Sequence, residues 1–368
     1  MDERQQPLVS VIIPAYQAAE YIREALDSVF AQTYTNFEVV LVNDGSPDTE
    51  ALEQAIRSYG ERLIYIRQDN RGPSGARNTA IRAARGKYIA CLDSDDIYLP
   101  EHLSRLVPLL EEHGLDLVYC DSYLMRDGAH VDRSFVGRSF VGRSFVGRAF
   151  ERQPQSPPVT FEKLLTEECS VTTSAVVASR QAMIDAGLFD EGYRRSEDFD
   201  LWLRMSFRGA KMDFLRQVGI EHRLHPGGLA ADGYLLKQAQ IQIYKKVLGT
   251  LPVSVKQKRL VQDLVVRVEG LCQMDLVKRH LREGRYPEAR LAAGKAAVLL
   301  QDGKSRRVAL AVQIAPWAAR RFLSLQEARL ARKGKRKAGS GGNLPTKDGT
   351  GSAIIYNQEV GNKAKLKH

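Results

Sequence analysis

The first hundred residues alternate between short apolar strands and helical segments, and this alternation restricts the fold more than any other feature. Four apolar runs predict buried strands, and they occupy residues 9–16, 37–46, 63–66 and 87–91. A helical pattern from residue 18 to residue 32 follows the first of them. Strands that alternate with helices predict a mostly parallel sheet with helices on both faces. The predicted fold class is therefore α/β, with ligands bound beyond the carboxyl ends of the strands.

An acidic cluster follows the fourth predicted strand. Asp93, Asp95 and Asp96 occupy three of four consecutive positions, with Ser94 between them. Carboxylates this close repel one another, and a divalent cation such as Mg²⁺ or Mn²⁺ relieves that repulsion while it binds a diphosphate. The other interpretation is an acidic turn before the helix that is expected near Pro100. The segment alone does not separate the two.

Other polar residues also lie at the ends of predicted strands. Pro14, Ala15 and Tyr16 end the first strand, Asp44 ends the second, and Arg77 follows the third in a loop and helix start. Because the carboxyl ends of parallel strands share one edge, these residues are expected to share one crevice. Each also has an ordinary structural interpretation, such as an Asx turn for Asp44 or packing for Tyr16.

Taken in order, these motifs resemble those of the inverting nucleotide-sugar glycosyltransferases of family 2, which have the GT-A fold. The resemblance runs from residue 9 to about residue 225. It implies a nucleotide-binding half and an acceptor half in one sheet. The donor-binding residues that it implies are Pro14, Ala15, Tyr16, Asp44, Gly75 (or Gly72), Arg77, Asn78, Asp93, Ser94 and Arg223.

The resemblance also implies a reaction. A sugar would move from a nucleoside diphosphate, with uridine as the expected nucleoside, to a hydroxyl of a glycan or lipid-linked acceptor in cell-surface polysaccharide synthesis. Asp44 would accept a hydrogen bond from N3 of the base. Asp95 and Asp96 would bind the Mg²⁺ or Mn²⁺ cofactor, and Asp93 would contact the nucleotide.

A transferase also needs a group that removes the proton from the attacking hydroxyl. Three acids open an amphipathic helical pattern at residues 195–204, where the positive end of the helix dipole favours an ionised carboxylate. This segment is similar to the Glu-Asp motif of the family, which implies that Asp198 is the catalytic base and that Glu197 positions a substrate. The structural alternative is an acidic helix start capped by Ser196.

A short predicted strand at residues 219–228 ends in a turn and resembles the Arg-x-His segment of the family. The resemblance implies that His225 is a third metal ligand and that Arg223 contacts an anion. His222 is a second candidate, and the sequence does not decide which imidazole points inward.

The sequence Ser-Phe-Val-Gly-Arg occurs three times in succession over residues 134–148. A period of five fits neither a strand nor a helix, so residues 133–150 are predicted to be an inserted loop. Its four arginines, without acids, would attract a phosphorylated or membrane-bound acceptor. A tolerated duplication in a surface loop is the alternative.

Three regions are expected along the chain. Residues 1–230 form the catalytic domain, residues 231–331 a helical region and residues 332–368 a disordered basic tail. The net charge of +10 is mostly a property of the end of the chain, where twelve Lys and Arg against three acids from Arg320 onward give +9. The pattern at residues 308–332 predicts either peripheral contact with an anionic membrane or a docked terminal helix.

No apolar run reaches the ~20 residues of a spanning helix, and no secretion signal opens the chain. We therefore expect a cytoplasmic protein, and peripheral attachment to the inner face of the cell membrane is one of the two interpretations of residues 308–332. Two other functions stay open. A nucleotidyltransferase would share the nucleotide-binding sheet but carry a lysine in its first loop, and a nucleic-acid-binding protein would act through the basic tail. No specific nucleic-acid partner is expected.

Overall fold

The computed structural model of the protein describes residues 6–126, 129–134, 158–223 and 232–338. Within these residues, nine strands form one sheet: β1 (Val9–Ala15), β2 (Phe37–Asp44), β3 (Leu63–Gln68), β4 (Tyr88–Cys91), β5 (Ile97–Tyr98), β6 (Leu117–Arg126), β7 (Ala129–Ser134), β8 (Val176–Ser179) and β9 (Met212–Arg223). Their order across the sheet is β3-β2-β1-β4-β8-β6-β9-β5, and β7 pairs with β6.

The helices of the described residues lie between the strands and after the last of them. They are α1 (Ile22–Phe30), α2 (Thr49–Ile56), α3 (Gly72–Ala83), α4 (His102–His113), α5 (Phe161–Leu165), α6 (Arg180–Asp185), α7 (Glu197–Phe207), α8 (Gly233–Thr250), α9 (Val255–Arg282), α10 (Tyr286–Leu300), α11 (Gly303–Ile314) and α12 (Pro316–Ala338). Two 3-10 segments also occur: Arg57–Arg62, which has a kink at Gly60, and the single turn Thr173–Ala175.

One half of the sheet is parallel and the other half is mixed. β3, β2, β1 and β4 all run in the same direction. Every residue of β1 except Pro14 is buried, which requires cover on both faces and explains why the apolar run is continuous. β8 then runs antiparallel to β4 and β6, and β9 runs parallel to β6. The α/β fold class is confirmed.

The first helix is shorter than its pattern predicts. Ile22, Leu26 and Val29 repeat at helical spacing on its buried side, but the helix begins at Ile22 rather than at residue 18. The backbone before it is held in a loop, because the carboxylate of Asp48 accepts a hydrogen bond from the amide of Ala19. This loop connects β1 with the first helix.

Some predicted features lie at or beyond the edge of the described residues. Arg133 and Ser134, at the start of the predicted inserted loop, are paired with β6 as part of β7. The rest of that predicted loop, His225 and the tail from residue 339 lie outside the described residues.

The C-terminal helices pack against the sheet domain and against one another. Tyr244 of α8 is buried in the main apolar core, and its hydroxyl donates to the carbonyl oxygen of Leu165 at 2.6 Å. A second, smaller apolar core lies between α9, α10 and α11, and contains Val277, Ala293 and Val312. Of the helices that the structure describes, none has both the length and the apolar character to span a bilayer.

Candidate active site

The candidate site lies where the parallel strands end. β1, β2 and β4 finish side by side at Ala15, Asp44 and Cys91. The acidic cluster forms the turn from β4 to β5, and the amide of Asp96 closes this turn on the carbonyl oxygen of Asp93 at 3.1 Å. The end of β9 comes beside it. The predicted gathering of strand ends at one edge is therefore present.

Asp96 is the buried anchor of this acidic turn. Its Oδ2 accepts hydrogen bonds from the hydroxyl of Ser174 at 2.5 Å and from Nδ1 of His222 at 3.0 Å, and its Oδ1 accepts from the amide of Arg223 at 2.8 Å. Burial acts to raise the pKa of Asp96, but the nearby His222 and the three donors outweigh it, so the pKa is lowered. Asp96 is thus a fixed negative charge.

His222 is the imidazole that the structure places beside the acidic turn. Burial lowers its pKa, but the charge of Asp96 dominates, and the pKa is raised to about 9. His222 is therefore a cation that faces the turn. Because His225 lies outside the described residues, the assignment of a metal ligand to His225 stays a prediction.

Asp95 is less buried than Asp96 within the acidic turn. Burial raises its pKa to about 7, and the negative charges of Asp96 and Asp93 act in the same direction. Clustered carboxylate oxygens are the ligands that Mg²⁺ and Mn²⁺ prefer, so the chemistry of Asp93 and Asp95 fits the predicted cofactor. Among the described residues, however, no three His, Cys, Asp or Glu side chains are arranged as a metal site. Metal binding at Asp95 and Asp96 stays a prediction.

Arg77 joins the acidic turn to the start of α7. One terminal nitrogen donates to Asp93 at 2.6 Å, and the other donates to Glu197 at 2.6 Å. The guanidinium is buried, which acts to lower its pKa, but the two carboxylates outweigh burial and raise it. Arg77 is therefore permanently charged and fixes the distance between the two acidic segments.

Asp198 lies next to this ion pair at the start of α7. Its Oδ2 accepts a hydrogen bond from Thr173 at 2.7 Å, and its Oδ1 accepts from the amide of Phe199 at 2.7 Å. Burial raises the pKa of Asp198 to about 6, and the charge of Glu197 adds to the rise, against the hydrogen bond from Thr173 and the charge of Arg77. A carboxylate with this pKa accepts protons effectively near neutral pH.

The helix that carries Asp198 is not capped by Ser196, although the structural alternative requires such a cap. Ser196 adopts the left-handed conformation at φ 57°, and its side chain makes no capping hydrogen bond. A capping serine normally has extended backbone and accepts from the second or third amide. The sharp turn at Ser196 instead presents Glu197 and Asp198 to the acidic turn.

Two hydroxyl groups that the sequence did not single out hold this arrangement together. Thr173 and Ser174 lie in one 3-10 turn before β8, and they donate to Asp198 and Asp96 respectively. Ser174 also accepts from the amide of Asp93 at 3.0 Å. In the sequence these residues form an ordinary polar run before an apolar strand, so only the tertiary structure identifies them as positioning residues.

Asp44 is held in place at the end of β2. Its Oδ1 accepts hydrogen bonds from the side chain of Gln68 at 2.6 Å and from the amide of Arg71 at 2.9 Å. Gly45 follows with φ +64°, and a Cβ atom there would lie 2.7 Å from the amide nitrogen of Asn70. The glycine therefore lets the loop after β3 come close enough to bind Asp44.

The other predicted donor residues differ in exposure. Tyr16 is 49% exposed at the mouth of the site, while Ala15 is buried beside Asn43. Pro14 and Ser94 are half-buried. Their positions are compatible with a nucleotide pocket at this edge, and their contacts with a donor stay predictions.

Asn78 and Gly75 tie α3 to the segment before α7. The amide group of Asn78 donates to the carbonyl oxygen of Phe189 at 2.8 Å and accepts from its amide at 2.9 Å. A Cβ atom on Gly75 would lie 2.4 Å from Cβ of Arg71, whose guanidinium binds Glu191 at 2.7 Å. Both residues thus have a structural role here, and their predicted contacts with a nucleotide are untested.

Arg223 lies across the mouth of the site. Its side chain donates to Glu24 at 2.5 Å and to the carbonyl oxygen of Asp95 at 3.1 Å, and it lies over the ring of Tyr21. This position brings a cation next to the acidic turn. Its predicted contact with phosphate stays a prediction.

Comparison with known protein families identifies the chain. Residues 88–282, more than half of the chain, match the family described as Glycosyl transferase family group 2, and residues 10–152 match Glycosyl transferase family 2. These matches favour glycosyl transfer over the nucleotidyltransferase and nucleic-acid-binding alternatives.

Individual relatives agree with the family match. The uncharacterized glycosyltransferase RP339 of Rickettsia prowazekii (strain Madrid E) is 33% identical over 223 residues, which are 60% of this chain and 64% of that protein. The chain thus spans less than two thirds of that relative. The Escherichia coli protein named UDP-Glc:alpha-D-GlcNAc-diphosphoundecaprenol beta-1,3-glucosyltransferase WfaP is 28% identical over 237 residues, which are 64% of this chain and 85% of that protein.

A solved structure shares the fold. The mannosyltransferase PcManGT of Pyrobaculum calidifontis, determined in complex with GDP-Man and Mn²⁺, superposes with a TM-score of 0.56 over 93% of this chain and 90% of that chain, at 19% identity. The predicted GT-A type of fold agrees with this likeness. The family match shows that the chain belongs to the family 2 glycosyltransferases.

Proposed function

We propose that this transferase moves a sugar from a UDP-sugar to a hydroxyl of a lipid-linked or glycan acceptor, with inversion at the anomeric carbon. The observation that carries the proposal is the bridge from the acidic turn through Arg77 to Glu197, beside Asp198. This bridge joins the acidic turn, which is proposed to bind the diphosphate, to the segment that carries the proposed base. The name of WfaP, which gives UDP-glucose and a diphosphoundecaprenol-linked sugar, supports the substrate classes.

Asp198 is the base in the proposed reaction. It takes the proton from the acceptor hydroxyl as the oxygen forms its bond to the anomeric carbon and the bond from that carbon to the diphosphate breaks. Thr173 donates to Oδ2 of Asp198, which fixes the direction of the carboxylate. Inversion follows from a single displacement on the face opposite the leaving group. Such a reaction needs one basic carboxylate.

Asp44 is the residue proposed to select uracil. An ionised carboxylate is an acceptor only, and N3 of uracil is a donor. Gln68 and the amide of Arg71 hold Asp44 by one oxygen, which orients the side chain before a base arrives. PcManGT was solved with a guanine nucleotide on the same type of fold, so the choice of base depends on such residues rather than on the fold.

The diphosphate is proposed to bind at the acidic turn. Asp95 and Asp96, with His225 as the predicted further ligand, would hold a Mg²⁺ or Mn²⁺ ion, which would supply positive charge for the diphosphate leaving group. Asp93 is held by Arg77 and contacts the nucleotide, and Arg223 supplies a cation for the phosphates. The structure of PcManGT, determined in complex with GDP-Man and Mn²⁺, supports a divalent ion as the cofactor.

The acceptor is proposed to be part of a cell-surface polysaccharide that is assembled at the cytoplasmic face of the membrane. A lipid-linked sugar keeps its reactive hydroxyl near the bilayer surface. An enzyme that acts on it must therefore work close to that surface. We therefore propose that the protein acts in the cytoplasm, attached peripherally to the inner face of the membrane.

The test is a panel of nucleotide sugars. We expect UDP-sugars in the presence of Mn²⁺ to raise the melting temperature of the protein, and GDP-sugars to raise it less. The best donor should then release UDP when it is incubated with a polyprenyl-diphosphate-linked sugar, and NMR of the product should show an inverted anomeric configuration. Stabilisation by GDP-sugars alone would contradict the uridine assignment, and retention of configuration would contradict the mechanism.

Asp44→Ala tests the base contact within that panel. The substitution should weaken UDP binding by about 1–3 kcal/mol, the cost of removing one partner of a buried hydrogen bond. Asp27→Ala on α1 is the matched control, because Asp27 accepts from Tyr59 away from the strand ends. Equal loss of UDP affinity in both variants would refute the role of Asp44.

A further inference from the structure

Three C-terminal helices expose large apolar side chains to solvent. Leu291 and Val298 of α10 are 62% and 72% exposed, and Ile314 of α11 is 72% exposed. Trp317 and Phe322 of α12 are 67% and 70% exposed. Leu310 and Leu325 add to the same set. Exposed apolar residues on this scale mark a contact surface, whereas single exposed side chains do not.

These side chains lie on the outward faces of helices that are already packed. Ala293 of α10 and Val312 of α11 are buried in the small core, and Leu323 of α12 packs against it. Leu310 and Ile314 are four residues apart and therefore lie on one face of α11, opposite Val312. The surface is thus preformed, because the inward faces are held by the core.

A groove joins two of these helices. It has a volume of about 590 Å³ and lies between α10 and α11, where Leu291, Val298 and Leu299 form its apolar wall. Arg290 closes one side by donating to the carbonyl oxygen of Val312 at 3.4 Å. The groove therefore runs along α10 and reaches α11 at Gln313.

The same helices are strongly basic. From Arg290 to Leu325 the sequence contains seven Lys and Arg and a single acid, Asp302. Arg306 and Arg307 on α11, and Arg320 and Arg321 on α12, are all exposed. Positive charge interleaved with exposed apolar and aromatic side chains is the composition of helices that lie in the interface of an anionic bilayer.

We infer that the outward faces of α10, α11 and α12 form a preformed surface that binds anionic phospholipid bilayers. Trp317 is suited to the headgroup boundary, since its ring is apolar and its N–H is polar. A second copy of this chain fits less well, because its face would bring the same positive charges together. Nucleic acid would satisfy the charges but leave the aliphatic side chains exposed. The inference rests on this surface alone and not on the proposed reaction.

Trp317 provides the measurement. The chain has two tryptophans, and Trp202 is 1% exposed while Trp317 is 67% exposed. Mixed with vesicles of equal parts phosphatidylglycerol and phosphatidylcholine, the full chain should show blue-shifted emission and quenching by lipids brominated on their acyl chains. Vesicles of phosphatidylcholine alone should produce neither change. Trp317→Phe should remove the signal while the protein still sediments with anionic vesicles.

Two variants separate the apolar and the basic contributions. Phe322→Ser with Leu325→Ser, and Arg306→Gln with Arg307→Gln and Arg321→Gln, should each lower the vesicle partition coefficient by about tenfold or more. Val255→Ser with Lys256→Gln is the matched control at exposed positions of α9. At 1.5 Å per residue these lie about 33 Å along that helix from Val277 of the small core.

The inference is overturned by any of three results. The first is that anionic vesicles do not bind. The second is that both surface variants bind as well as the control variant. The third is that sedimentation in the absence of lipid shows a dimer which the Phe322→Ser and Leu325→Ser substitutions dissociate, because the surface would then belong to a second copy. If the unchanged protein bound anionic vesicles but transferred no sugar, that result would instead count against the proposed reaction.

Discussion

The guanidinium of Arg77 and the carboxylate of Glu197 are 120 positions apart in the sequence and lie 2.6 Å apart in the structure. Both side chains are almost fully buried, at 6% and 8% exposed. A buried ion pair of this kind stabilises weakly as a whole, but each partner depends strongly on the other. The pair therefore connects the acidic turn, which Arg77 also contacts through Asp93, to the segment that carries Asp198.

A double-mutant cycle tests that dependence. Arg77→Met should lower the free energy of unfolding by about 3–5 kcal/mol, because it leaves Glu197 charged and buried without its partner. Glu197→Gln in the same background should cost much less than it does alone, so the two changes should be non-additive by more than about 1 kcal/mol. The measurement is urea unfolding of the four proteins.

The exposed pair Lys245 and Glu269, at 3.3 Å, is the control for this cycle. Ion pairs in solvent contribute about 1 kcal/mol or less, so Lys245→Met and Glu269→Gln should be nearly additive. If the costs at Arg77 and Glu197 also added, the two would not act as a unit in the folded protein.

Asp198→Asn should separate chemistry from binding. The amide cannot take up the acceptor proton, so kcat should fall by about 10²–10⁴-fold. The Kd of the nucleotide-sugar donor, measured by calorimetry, should stay close to that of the unchanged protein. Asp185→Asn, at an exposed position of α6, is the control and should leave kcat unchanged. An equal loss of affinity and turnover in Asp198→Asn would argue that this residue binds the donor.

Much of the fold was predictable because it follows from local pattern. The continuous apolar runs of β1 and β2 and the alternation with helices are visible in any window of the sequence. The helix boundaries were less predictable. α1 begins four residues later than its pattern suggests because Asp48, 29 positions away, binds the backbone of the preceding loop. A pattern confined to one segment carries no information about such a contact.

The contacts within the site were even less predictable from the sequence than the helix boundaries. The acids of the turn and of α7 were identified from their motifs, but the groups that hold them were not. Ser174 is 78 positions from Asp96, and Thr173 lies in a turn without any distinguishing composition. The sequence likewise left His222 and His225 undecided, and the structure places His222 on Asp96. Partners of buried charges are determined by the sheet order, which brings β8 and β9 to the end of β4.

The pH dependence of the reaction should report Asp198. With its pKa raised to about 6, mainly by burial, Asp198 is protonated and inactive as a base below that pH. At saturating Mn²⁺, kcat/KM should therefore fall about tenfold per pH unit below 6 and level off above 7. The charged or titratable groups that face Asp198 are Glu197, Arg77 and Cys91, and burial holds the Cys91 thiol neutral because its pKa is raised to about 12.

Thr173→Val should shift the acidic side of this pH profile to higher pH. The hydroxyl of Thr173 donates to the charged form of Asp198 and so lowers the pKa. Its removal should raise the pKa, and the fall in kcat/KM should begin at higher pH. Thr166→Val is the control, since that hydroxyl lies at the end of α5 and donates to Glu168. If kcat/KM began to fall at the same pH in Thr173→Val as in the unchanged protein, Thr173 would not act through Asp198.

Asp95→Ala tests the proposed cofactor without reference to turnover. Asp95 is proposed to bind Mg²⁺ or Mn²⁺, and Asp96 is already held by Ser174, His222 and the amide of Arg223. In the unchanged protein, Mn²⁺ should tighten the binding of UDP, because the ion balances the charge of the diphosphate against that of the acidic turn. In Asp95→Ala, titrations with and without Mn²⁺ should give nearly equal affinities for UDP.

Glu191→Ala is the control, because it removes an acid that pairs with Arg71 rather than one in the acidic turn, and it should keep the effect of Mn²⁺ on UDP binding. A Mn²⁺ effect of the same size in Asp95→Ala and in the unchanged protein would refute the assignment of Asp95 as a ligand, whatever the activity of either protein.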